Sequence, residues 1–69
     1  METGAEAFAA RLVAARLKLG LTQAGAARRW GISVRTLIYW EGGEHAPLPD
    51  RRVRLERILA RIEQQTAAR

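Results

Sequence analysis

The 69-residue chain has no cysteine and a single histidine, so neither a disulfide framework nor a thiolate or multi-histidine metal site is open to it. No stretch approaches the roughly 20 apolar residues that a membrane span needs. The opening METGAEAFAA has neither the basic nor the apolar segment of a secretory leader. The expectation is a soluble, cytoplasmic protein that needs no cofactor and no metal. No nucleophile stands near His45 in sequence, the acids and bases are scattered, and no glycine-rich phosphate loop occurs. An enzyme reading therefore has nothing to build on. Strand-like alternation, internal repeats and the aromatic sheet surface of an RNA-binding module are absent as well.

What the chain does have is arginine. Eleven arginines and one lysine stand against seven acids, for a net charge of +5, and the excess is uneven: −2 over residues 1–10, +6 over 11–35, −3 over 36–50 and +4 over 51–69. The guanidinium is a planar fork of donors that stays charged at any relevant pH, which suits phosphate and guanine. A membrane-surface helix or an acidic protein partner would attract the same charge, so pattern must decide. At this length the chain is one domain, 1–69, burying only about 60% of its unfolded surface. A second chain could supply the missing burial.

The pattern is helical throughout. Phe8, Leu12, Ala15 and Leu19 recur at i, i+4, i+7 and i+11, one stripe of a helix over about 5–19 that Gly20 ends. Thr22 is placed to cap a short second helix to about Arg29, and Ser33 a third over about 33–40, with Gly31 between them. The span 41–49 holds two glycines and two prolines and reads as loop. Asp50 is expected to cap a last helix over about 50–64, where Leu55, Ile58, Leu59 and Ile62 form one apolar face. Part of that face should remain for a second copy, and the tail QQTAAR should fray.

Two short helices joined through a glycine turn have helix-turn-helix geometry. Counting from Gln23, a small residue falls fifth (Ala27), glycine ninth (Gly31), and apolar residues tenth, fifteenth and eighteenth (Ile32, Leu37 and Trp40). Ala27 lets the helices approach, Gly31 turns the chain, and the apolar trio anchors the third helix while its other face stays exposed. With the runs LTQ at 21–23, GIS at 31–33 and W-E-x-G-x-x-x-P at 40–47, the chain resembles the Cro and phage-repressor family, also called Xre-like. The resemblance implies an all-α, lambda-repressor-like bundle of four or five helices whose third helix enters the major groove of double-stranded DNA as a homodimer.

The resemblance also implies roles. Val34, Arg35 and Tyr39 match the positions that meet base edges; Gln23, Ser33 and Thr36 match backbone contacts, and Thr22, which caps the helix beside them, is expected to be a backbone contact too. Arg35 is the foremost candidate for sequence readout, because a bidentate arginine to guanine is the commonest specific contact. Arg16 and Glu41 match a structural ion pair, and Trp30 and Trp40 match core positions. Arg28, Arg29 and His45 read as surface. Gly25 and Ala26 replace larger helix formers, which leaves space for Trp30, and Glu44 and Ala46 stand where relatives place cations. Arg51 and Arg52 are a separate matter: in the first turn of the last helix they oppose the helix dipole, and a locally unfavourable placement can mark function, here contact with DNA phosphates or with a partner's acids. The function expected is a repressor on an inverted-repeat operator, with activation the outcome if the site lies beside a promoter. The alternative is an antitoxin-like or phage accessory protein that chiefly binds a protein partner.

Overall fold

The computed structural model describes residues 4–67 and shows four α-helices: α1 (Gly4–Lys18), α2 (Gln23–Trp30), α3 (Val34–Glu41) and α4 (Pro49–Ala67). The all-α bundle expected from the sequence is present, with four helices among the described residues. Its core joins all four. Phe8, Leu12 and Ala15 come from α1, Ala26, Ala27 and Trp30 from α2, Leu37 and Trp40 from α3, and Leu55, Leu59 and Ile62 from α4. Both tryptophans are therefore core residues, Trp30 buried in one cluster with Ala26 and Ala27 of its own helix.

Local signals explain the α2–α3 corner. The Thr22 hydroxyl accepts the Gly25 amide at 3.0 Å and the Ser33 hydroxyl accepts the Thr36 amide at 3.1 Å, so each helix begins on a side-chain cap. Gly31, just past the end of α2, sits at φ +71°. There the Ile32 amide reaches back to the Ala27 carbonyl at 2.9 Å and the Gly31 amide to Arg28 at 3.3 Å, a Schellman closure that needs a left-handed residue. The last carbonyl of α2, on Trp30, instead receives Nη2 of Arg54 from α4 at 2.7 Å. A Cβ on residue 31 would lie 2.7 Å from that same nitrogen. Gly31→Ala is thus expected to combine left-handed strain with a displaced cap, costing about 2 kcal/mol and lowering Tm by about 10 °C. Thermal unfolding followed by circular dichroism would check it.

Two sequence expectations change at α4. The sequence reads Pro49 as loop and Asp50 as the cap, yet the helix starts at Pro49, and its first backbone bond runs from the Arg52 amide to the Leu48 carbonyl at 2.9 Å. Proline fits the first helical position because its missing N–H would have no partner there. Asp50 stands within the first turn, where its charge opposes that of Arg51 and Arg52 at the positive end of the dipole. At the other end, helix continues to Ala67, past the expected limit near 64; of the tail expected to fray, Ala68 and Arg69 lie outside the described residues.

The apolar face of α4 is also consumed more fully than periodicity suggests. Leu55, Leu59 and Ile62 are buried and Ile58 is half-buried against the core, so this stripe leaves little for a second copy. Polar contacts fix how α1 crosses α4. Arg11 donates Nη1 to Glu56 at 2.8 Å, and Nε and Nη2 to Glu63 at 2.9 and 3.0 Å. Glu56 and Glu63, two turns apart, share the face that meets α1. The hydrogen bonds from Arg11 hold the Glu63 carboxyl below its ordinary pKa, and the two carboxylates, Glu63 first, raise that of Arg11.

Candidate nucleic-acid interface

Helix α3 is divided along its length by burial. Leu37 and Trp40 point into the core, while Val34, Ile38 and Tyr39 are 41%, 50% and 54% exposed and Arg35 lies open among them. The Arg35 side chain makes no hydrogen bond or ion pair with the other described residues. An eight-residue helix presenting a guanidinium, two aliphatic side chains and a phenol on one free face has the donors and methyl groups that a major groove can use. The family model for helix-turn-helix proteins matches residues 12–63. The chain belongs to the Xre-like helix-turn-helix family. No curated protein and no solved structure matches it. Xre-like helix-turn-helix proteins are DNA-binding regulators, and α2 and α3 of this one are the helix-turn-helix itself. Among the described residues no helix is long and apolar enough to cross a membrane.

The scaffold that sets the angle of α3 in this Xre-like domain is a polar cluster at its far end. Glu41 accepts Nε of Arg16 at 2.9 Å, Nη2 of Arg16 at 3.3 Å and Nε2 of Gln23 at 2.9 Å. Arg16 also donates Nη1 to the Leu21 carbonyl at 3.2 Å. One carboxylate thereby joins α1, the start of α2 and the end of α3. Because a carboxylate only accepts, the Gln23 amide is oriented with its nitrogen inward, leaving a second N–H and the carbonyl oxygen for an outside partner.

At the other end of α3, the helix N-terminus opens on a recess of about 350 Å³ lined by Gly31, Ile32, Ser33, Thr36, Arg51, Arg54 and Leu55. Ser33 spends its hydroxyl proton on Oγ1 of Thr36 at 2.8 Å, so Thr36 keeps a free O–H donor and Ser33 keeps only acceptor capacity. The guanidinium groups of Arg51 and Arg54 and the hydroxyl donor of Thr36 converge here at the positive end of α3, the chemistry that holds a phosphate oxygen. The adjacent arginines of α4 part company. Arg51 lines this recess, whereas Arg52 lies 3.8 Å from Glu56 with its guanidinium 5.6 Å from the Phe8 ring centroid. Successive residues on a helix are 100° apart, and here that offset sends Arg51 to the recess and Arg52 toward Glu56 and Phe8.

Three contributors escaped the sequence reading. Arg54 both caps α2 and lines the recess. Ile38 stands exposed one turn after Val34 on α3, and that i, i+4 apolar spacing was a signal available in the sequence. His45 stacks on Tyr39, a contact that no local spacing encodes.

Proposed function

We propose that this Xre-like protein is a homodimeric repressor that reads an inverted-repeat operator through α3. Arg35 is assigned to a guanine, Val34 to a thymine methyl and Tyr39 to an adjacent base edge. Thr22, Gln23, Thr36 and Arg51, with Ser33 as their cap and neighbour, are assigned to the phosphate backbone. The observation that carries this reading is the free face of α3, basic and apolar together, flanked at its N-terminus by the Arg51–Arg54 recess. Two copies related by a dyad would place their third helices about 34 Å apart in successive major grooves. Occupying a promoter in this way would exclude polymerase sterically. With the α4 stripe buried, the exposed apolar side chains outside α3, Leu48 and Val53 at the start of α4 and Leu17 on α1, are the surfaces from which a dimer contact would be drawn.

Selection of bound sequences from a random DNA pool tests this reading directly. The expected product is a motif with inverted symmetry and half-sites one helical turn apart. Recovery of no motif, with affinity governed by salt alone, would reduce the protein to a nonspecific polyanion binder. The separation of the two α4 arginines makes a second expectation. Arg51→Ala should reduce the slope of log affinity against log salt by about 1, one phosphate's worth. Arg52→Ala should leave that slope unchanged while loosening the α1–α4 seam. Filter-binding titrations at several salt concentrations would distinguish them: a native slope for Arg51→Ala would remove Arg51 from the backbone contacts, and a slope reduced by about 1 for Arg52→Ala would add Arg52 to them.

A further inference from the structure

Tyr39, near the end of α3, and His45, in the loop that follows, lie face to face. Their ring centroids are 4.5 Å apart and their planes differ by 8°, a parallel stack at the close end of the range for aromatic pairs. Neither ring is held by the core, since Tyr39 is 54% exposed and His45 is exposed. Each is held by the other. An exposed tyrosine alone would sample several staggered rotamers, but a ring against its face restricts it to one. The loop that delivers His45 is itself seated at both ends: Gly43, at φ +80°, turns against α1, with a Cβ there only 3.7–3.8 Å from Glu6 and Ala9, and Pro47 is buried. The imidazole is thus presented from a fixed loop to a side chain on the free face of α3.

We propose that His45 is a positioning residue for DNA reading, which holds the Tyr39 phenol in one orientation and so sharpens base preference at the single position Tyr39 meets. The inference rests on α3 being the reading helix. It explains why a loop with an acid at Glu44, poorly suited to phosphate, is nonetheless built tightly beside the interface: its contribution is to aim a neighbouring side chain.

The test uses the full chain, with Tyr39→Ala, His45→Ala and His45→Phe, each taken through selection from random DNA and then through competition between the selected motif and its single-base variants. Both alanine variants should relax the same base-pair position. Discrimination there should fall about 2- to 10-fold for His45→Ala, the worth of one aromatic pair, and return with His45→Phe, which keeps the stack without the imidazole nitrogens. The chain has one tyrosine and one histidine, so a nuclear Overhauser contact between their ring protons reports the stack without ambiguity, and Tm should fall only by the worth of the stack, about 2–10 °C, in His45→Ala and stay close to native in His45→Phe. Unchanged preference in His45→Ala, relaxation at a position other than that of Tyr39→Ala, or failure of His45→Phe to restore it would overturn the inference while leaving α3 as the reading helix. If the native chain selects no motif, the reading of α3 falls first and the role of His45 with it.

Discussion

Glu41→Ala is expected to destabilise the domain by about 3 kcal/mol and to lower Tm by about 15 °C. The magnitude follows from what the substitution leaves behind. The Glu41 side chain is only 6% exposed and that of Arg16 16%, so removing the carboxylate strands a largely desolvated guanidinium that keeps one bond, to the Leu21 carbonyl. The Gln23 amide loses its partner at the same time. Stranding a buried charge costs more than the pair contributes when intact, because the pair's own attraction is offset by desolvation. A domain of this size has about 3–10 kcal/mol in total, so the loss would be a large share of it. The same argument makes an opposite prediction for the double variant Arg16→Met, Glu41→Leu, which removes both charges and keeps comparable volume: most of the stability should return. Urea unfolding of the two variants separates the possibilities. A single variant within about 0.5 kcal/mol of the native chain would mean that water reaches Arg16 freely and that the cluster is a surface pair.

How far the sequence reveals this molecule depends on how local each cause is. The α2–α3 corner was legible because Thr22, Gly31 and Ser33 act on backbone atoms within five residues of themselves. The start of α4 was misplaced by one residue because aspartate and proline both suit a helix start, and proline, with no N–H to satisfy, took the first position. Periodicity identified the apolar stripe of α4 but not its coverage, which depends on how closely α1 and α2 approach it. The remaining features join distant residues: Arg11 reaches Glu63 across 52 positions and Arg54 reaches Trp30 across 24. No spacing rule links such pairs. The candidate interface divides the same way. The face of α3 follows from the 3.6-residue repeat, whereas the parting of Arg51 from Arg52 and the stack of His45 on Tyr39 are set by how α4 and the loop after α3 pack on the rest of the bundle.

Arg35→Ala is expected to lower affinity for the selected operator by about 1–3 kcal/mol, or about 5- to 150-fold, with the loss concentrated at one G·C pair per half-site. Folding should be untouched, because Arg35 is exposed and bonds to no other described residue, so Tm serves as the internal control. The guanidinium can form two parallel bonds to O6 and N7 of guanine, and no other base pair offers that acceptor pair in the same place. Arg35→Lys sharpens the test. Lysine keeps the charge but not the planar fork, so the salt slope should stay close to native while discrimination at the G·C pair falls. If the effect of Arg35 were one of charge alone, the lysine variant would behave as native and the alanine variant would weaken every sequence equally, native operator and scrambled duplex alike. Competition titrations with the operator, its single-base variants and a scrambled duplex read both quantities. A uniform loss would move Arg35 from the bases to the backbone and leave sequence readout to Val34, Ile38 and Tyr39, none of which carries a formal charge and only one of which has a hydrogen-bonding group beyond its backbone.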